Sequence, residues 1–181
     1  LFKLKKQVEL FADDDYNFAG RPPLKADLIY STNKEEIELS IINIHMKCCD
    51  SGLLRRKRAS KMLHNYIDQY YTTQPNIIIL GDWNDDTKDK KGQHCFDPFF
   101  HDDRFYFSTY EIALDLKQAS YPKEPYVSFL DHILVSNSFI PKESDYHVQT
   151  IHMGDYMGGY KIYESYISDH RPVLLSFSVT K

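Results

Sequence analysis

The stretch IIILGDWND, Ile77 to Asp85, carries the fold in miniature. Four aliphatic residues with no polar interruption read as a strand buried on both faces, since a strand with one wet face would alternate. Gly81 ends the run, and the polar stretch GDWNDDTKDKKGQ reads as a loop at the strand's carboxyl end. Before it, the breaker TTQPN closes the clearest helical segment, Ser51 to Tyr71, in which Ala59, Met62, Leu63, Tyr66, Ile67 and Tyr70 recur at three- and four-residue spacing. Before the helix, Ile37 to Met46 (IELSIINIHM) reads as a mostly buried strand. One strand–helix–strand unit is therefore written into residues 37–82.

Working outward, LKADLIYS is a candidate strand joined to Ile37–Met46 by a hairpin-like turn at TNKEE, and LFKLKKQVELF is a strand or a short helix. SFLDHILVS, HVQTIHM and RPVLLSFSV read as further strands. Strands outnumber helices, which predicts a layered α/β (α+β) domain with helices packed on sheet. The 181 residues suit a single domain, residues 1–181, and 42% hydrophobic with 14% aromatic content supports a real core. Such composition excludes a disordered chain. The net charge of −4 excludes a uniformly basic nucleic-acid glove. The basic run Arg55 to Lys61 opens the helix, where cations oppose the dipole; it is taken as a solvated face, with an anionic ligand as the alternative. Three cysteines, Cys48, Cys49 and Cys95, without CxxC spacing exclude a disulfide framework or a cysteine-rich zinc site, and leave a bridge from Cys95 to one of the pair open. No apolar run is long enough to span a membrane. The chain is expected to be soluble, its compartment undetermined and export open. It starts at Leu1 rather than Met, as a processed product or fragment does.

The chemistry-bearing residues sit in or just after strands: Asn43 and His45 in IINIHMK, Asp82 and Asn84 in IIILGDWND, Asp131 in FLDHILV, Asp169 and His170 in ISDHRPV. Groups at strand ends of layered α/β folds converge on one crevice. Carboxylates, carboxamide and imidazoles without thiolate suit Mg²⁺ or Mn²⁺, and together point to metal-assisted attack on a phosphoester. Each motif alone has a plainer reading: a turn after a strand for GDWN, a satisfied core Asp for LDHIL, a polar strand face for NIH. A Ser-Asp-His hydrolase is a poor reading of SDH, because neighbouring residues cannot form a nucleophile–base pair.

Taken in order, IINIHMK, IIILGDWND, SFLDHILVS and ISDHRPVLLSF make the chain, from about Arg21 to its end, resemble the endonuclease/exonuclease/phosphatase superfamily of deoxyribonuclease I-like, metal-dependent phosphoesterases. The resemblance implies a four-layer αββα sandwich of which this chain supplies the carboxyl-terminal portion, with an amino-terminal segment of the same protein as a missing partner. It implies His170 as the catalytic histidine, Asp131 as its orienting partner, Asp82 as the group that orients or deprotonates water, Asn84 on the phosphate, and His45 acting on phosphate or leaving group. The metal would be held by Asp169 with Asp82 and Asn84. The family's amino-terminal metal-binding Glu has no counterpart, Glu9 included. The substrate expected first is nucleic acid; a phosphatase, a sphingomyelinase-like phospholipase and a non-catalytic binding module are the alternatives. His132 is expected to be an ordinary strand residue, with a supporting role behind the site as the alternative, and Trp83 to pack. His94, His101, Asp102 and Asp103 are expected on the surface. The loops at 85–104 and 146–166, the latter with Tyr156, Tyr160, Tyr163 and Tyr166, are candidates for substrate selection or sheet filler.

Overall fold

A computed structural model describes residues 2–31 and 35–178. Six strands form one sheet in the order β1-β2-β3-β4-β6-β5: β1 (Phe2–Glu9), β2 (Leu24–Ser31), β3 (Glu36–His45), β4 (Ile77–Asp82), β5 (Phe105–Phe107) and β6 (Asp131–Ser136). β7 (Tyr146–Thr150) and β8 (Val173–Phe177) form a second, antiparallel sheet. Helix α1 (Leu53–Tyr70) joins β3 to β4, the parallel pair of the large sheet. Two short helices, α2 (Asp97–Phe100) and α3 (Tyr160–Tyr166), were not legible as helices in the sequence. The residues Thr32–Lys34 of the expected hairpin turn lie outside the described residues; the strands they join do pair, with Ser31 opposite Glu36. The opening segment is a strand, antiparallel to β2 with a register shift between Leu4 and Lys6.

Strand parity explains the layers. Ile42, Ile44, Ile77, Ile79 and Leu134 point to one face, where they pack with Ala59, Leu63 and Ile67 of α1 and with the aromatic group Trp83, Phe96, Phe99 and Phe107. Leu39, Ile78, Ile133 and Val135 point to the other, against Val173, Leu175 and Phe177 of β8. Both faces of β4 are thus covered, which accounts for its unbroken apolar run. Each fully buried Leu or Ile contributes about 1.5–3 kcal/mol relative to exposure. On α1, Ala59, Leu63 and Ile67 are buried, Met62 and Tyr66 are half-buried, and Tyr70 is exposed.

The basic run of α1 is not simply a solvated face. Arg56 is 4% exposed and its guanidinium bonds Asp85 Oδ1 at 2.6 Å, the Lys47 carbonyl at 2.7 Å and the Cys49 carbonyl at 2.8 Å. A buried cation persists only when paired and hydrogen-bonded in this way. The sequence reading missed it because charge runs are solvated more often than not, and Asp85 lies 29 residues away. His94 also departs from expectation. It is buried, with its ring against Phe96 and Phe100 and Nδ1 accepting from the Phe96 amide at 3.2 Å. Asp102 is half-buried in the fork of Arg104 and against His64 Nε2, while His101 and Asp103 are exposed.

Gly81 is the tightest point in the sheet. Its φ is +129°, and a Cβ there would lie 2.1 Å from the Ile44 carbonyl oxygen of the adjoining strand. Gly81→Ala is therefore expected to cost at least about 2 kcal/mol, combining backbone strain with the clash. Gly92→Ala, at φ +84° with nothing within 4 Å, is expected to cost about 1 kcal/mol from φ alone. Urea denaturation midpoints of the two variants test this ordering.

Candidate active site

The site grows out of strand register. β3 and β4 are parallel with His45 beside Asp82, and β4 and β6 are antiparallel with Asp82 opposite Asp131. These three residues therefore lie abreast across the end of the large sheet, on the face that meets β8. The chain enters β8 through Ser168, Asp169 and His170, and His170 Nδ1 lies 2.7 Å from Asp131 Oδ2. The carboxylate can only accept, so Nδ1 carries the proton and Nε2 is left without a partner among the described residues. An open cleft of ≈ 1330 Å³ is lined by His45, Asp82, Asn84, Asp131, Asp169 and His170 together with loop residues on either side.

Asn84 does not follow the extended alternation assumed from sequence. The chain turns at Asn84, whose φ is +54°, and folds back so that its backbone amide meets Asp82 Oδ1 at 2.8 Å and its Nδ2 meets Asp82 Oδ2 at 2.7 Å. The second Nδ2 proton goes to the Met46 carbonyl at 3.1 Å. Both amide protons are thus spent within the chain, and Oδ1 is the atom left over. His45 Nε2 is 3.4 Å from Asp82 Oδ2. Asp169 is exposed at the cleft, and its carbonyl accepts from Tyr160 Oη at 2.8 Å. Among the described residues, one group has the donor atoms for a metal ion: Asp82, Asp131 and His170, with one ligand atom from each all within 4.8 Å of one another.

Burial, then the charge of Asp131 opposite, pushes the Asp82 carboxyl up to about 6. Burial alone would lower His170, but the hydrogen bond and charge of Asp131 outweigh it and its pKa is raised. His45 is lowered, by burial and then by the cations Arg21 and His170.

Several supporting groups were not visible in the sequence. Ser120 Oγ accepts from the amides of Leu130 and Asp131 at 2.9 and 3.1 Å, anchoring the start of β6. Ser168 Oγ accepts from the His170 amide at 3.0 Å, and Tyr163 Oη donates to the His170 carbonyl at 2.9 Å. Arg21 donates to the carbonyls of His45 and Met46, pinning the end of β3. The aromatic residues at the cleft are Tyr121 and Tyr126, with the Tyr121 ring 5.2 Å from that of His170. Tyr156 and Tyr166 are exposed away from the cleft lining, and Tyr163 is buried beneath it. The loop at 85–104 does reach the cleft, through Lys88, Asp89 and Gln93.

His132 follows Asp131 but, by strand alternation, faces the opposite side. It is fully buried among Phe96, Phe107 and Phe129. Its Nε2–H donates to the Asp85 carbonyl at 3.1 Å and its Nδ1 accepts from Thr109 Oγ1 at 3.1 Å. It lies in the strand, but it is more than an ordinary strand residue, since through the Asp85 carbonyl it holds the loop that carries Asn84.

No family model and no curated protein matches the sequence. Solved structures do match the fold. A D. rerio TDP2 complexed with single strand DNA product superposes with TM-score 0.64 at 16% identity, covering 98% of this chain and 69% of that one. A mannosyl-6-phosphatase of Bacteroides thetaiotaomicron gives TM-score 0.58 at 17% identity, covering 97% and 67%. An endonuclease/exonuclease/phosphatase family protein from Bacteroides thetaiotaomicron gives 0.52 at 15%, covering 82% and 54%. The chain therefore has the deoxyribonuclease I-like fold, and spans between about half and two thirds of the length of these structures.

Burial pushes the His132 pKa down to about 4, from an unfolded value near 6.5. The unfolded chain thus binds the extra proton between those values, and the stability that rests on the neutral ring is intact above about pH 6.5 and lost as pH falls toward 4. The loss amounts to about 3 kcal/mol. His132→Gln is expected to be less stable than the parent near neutrality, with the gap closing by about 2.5 kcal/mol by pH 4.5, most of that amount. Urea midpoints of both proteins at about pH 7.5 and about pH 4.5 give the two differences.

Proposed function

We propose that this chain, built on a deoxyribonuclease I-like fold, belongs to the endonuclease/exonuclease/phosphatase superfamily and hydrolyses phosphodiester bonds of a nucleic acid strand with the help of Mg²⁺ or Mn²⁺. The observation that carries the reading is the convergence of Asp82, Asp131 and His170 at the end of the sheet, in an open cleft. The two carboxylates fit a hard divalent cation, with His170 beside them as a hydrogen-bond donor. Burial, and then the Asp131 carboxylate opposite, raise the pKa of Asp82, a cost that a cation would relieve. Asp169 and Asn84 Oδ1, both at the cleft, would add oxygen ligands. A bound cation would polarise a phosphoryl oxygen and acidify water.

The chain's own groups divide the remaining work. Asp131 fixes the tautomer of His170 and favours its protonated form, so that Nε2 donates to a phosphate or leaving oxygen. Asp82 accepts a hydrogen bond from the attacking water and orients it. Asn84 clamps the Asp82 carboxylate with its backbone and side-chain N–H groups. His45, kept neutral, lies within reach of the same carboxylate and serves the leaving group. Tyr121 and Tyr126 offer faces on which unpaired bases stack, worth about 1–3 kcal/mol per base. The cations of the cleft lining, Arg56 and Lys88, are paired with Asp85 and Asp86, so the described residues offer no free basic tract to a duplex with its dense phosphate charge. A phosphatase acting on a small phosphoester, which needs no such tract, is the second reading.

The test is cleavage of a single-stranded oligonucleotide, a duplex, bis-p-nitrophenyl phosphate and p-nitrophenyl phosphate, with Mg²⁺ or Mn²⁺ and then with EDTA. Metal-dependent cutting of the single strand in preference to the duplex, reduced about 10²–10⁴-fold in His170→Ala, is expected. Activity confined to the monoester would replace the nuclease reading with the phosphatase one. Calorimetric titration with Mn²⁺ provides a readout apart from turnover: Asp82→Asn should weaken binding, and parent affinity should fall below about pH 6, where a proton competes for Asp82. Metal binding without cleavage would leave a binding module.

A further inference from the structure

Cys48 and Cys49 lie in the loop between β3 and α1, both exposed and both lining the cleft beside His45. On extended backbone, neighbouring side chains point to opposite sides. Here the two sulfurs are 3.0 Å apart. The cause is the backbone of Cys49, at φ 69° and ψ 165°, a conformation that residues other than glycine rarely adopt and that costs about 1–3 kcal/mol. The surrounding structure holds it there. The buried Arg56 guanidinium clamps the carbonyls of Lys47 and Cys49, and the Gly52 amide donates to the same Cys49 carbonyl at 2.8 Å. Gly52 itself leaves no room for a side chain, since a Cβ would meet the Lys47 carbonyl oxygen at 2.7 Å.

We propose that Cys48 and Cys49 are a redox modification site at the mouth of the cleft, closing reversibly to a disulfide under the action of a peroxide. The Cys48 sulfur is the attacking group. It receives the Cys49 S–H, and Lys47 Nζ lies 3.4 Å away. These contacts lower its pKa, the Cys49 hydrogen bond acting most and burial opposing. In the first step the Cys48 thiolate attacks one peroxide oxygen; an S–O bond forms, the O–O bond breaks, and the departing oxygen leaves as water after taking a proton. In the second, the Cys49 sulfur attacks Cys48; an S–S bond forms, the S–O bond breaks, and the second oxygen leaves as water with the Cys49 proton. The two thiols lose two electrons and the peroxide gains them. The bridge would close a small ring through the Cys48–Cys49 peptide, a strained geometry that makes a disulfide easily reduced. That lability suits a reversible site rather than a structural bridge. Cys95 is the internal contrast: it is buried, and burial pushes its thiol well up.

The experiment treats the reduced protein with a small excess of hydrogen peroxide, blocks remaining thiols with iodoacetamide, and maps the peptides by mass. The expected result is a loss of about 2 Da confined to the peptide holding Cys48 and Cys49. That peptide should become refractory to alkylation and recover with dithiothreitol, while Cys95 reacts only after unfolding. Cys48→Ser and Cys49→Ser should each abolish the 2 Da loss. Oxygen added to either cysteine without a bridge, a cross-link between two chains, or no change at the peptide would each overturn the proposal. The readout is a mass, so the outcome is independent of whether the cleft hydrolyses phosphoesters.

Discussion

The side chains of Asp82 and Asp131 face each other because β4 and β6 run antiparallel in one particular register, and the site depends on that pairing. A slip of one residue would exchange Asp131 for His132 on the cleft face, and would expose the core side of β6 to the cleft. The register is held from both sides. Ile133 and Val135 belong to the inter-sheet cluster, and Leu134 to the cluster beneath α1. The hydrophobic pattern that covers both faces of β4 and β6 is thus what puts two carboxylates in opposition, an arrangement that electrostatics alone would disfavour.

A second constraint ties the loops to that sheet. The buried pair of Arg56 and Asp85 joins α1 to the loop after β4, and the same guanidinium holds the loop after β3. His132 reaches the same loop from below through the Asp85 carbonyl. A buried ion pair is weak evidence of net stability, since replacing it by apolar residues is often neutral or stabilising. Its consequence here is geometric. Asn84 and the Cys48–Cys49 turn are held in positive-φ conformations next to groups that cannot move independently. Strain of this kind persists only where neighbouring contacts over-determine the backbone.

The polar groups of the cleft are graded by their surroundings. Asp82 is mostly buried and its pKa rises, while His170 is lifted by the Asp131 bond and His45 is lowered. Three groups close together therefore differ in proton affinity, the property that lets one site hold an acid and a base at the same pH. The fold places the cleft where the two sheets and the helical side meet, and this is also where the loops at 47–52 and 82–93 reach each other.

The sequence by itself determined the strands with continuous or alternating apolar residues and the amphipathic course of α1, because those depend on a local period that one segment carries alone. It also located Asp82, Asp131, His45, Asp169 and His170, each at the end of an apolar run, and ordered them along the chain. Only the tertiary structure decided which atoms meet. Asn84 folds back on Asp82 instead of projecting with it, Arg56 is buried rather than solvated, and Tyr121 and Tyr126, not the tyrosines of 156–166, stand at the cleft. Helices α2 and α3 are too short to show a period, and β5 has three residues. Burial of a charge and the facing of two side chains are set by residues tens of positions away, through sheet register and loop clamps, and no local spacing encodes them.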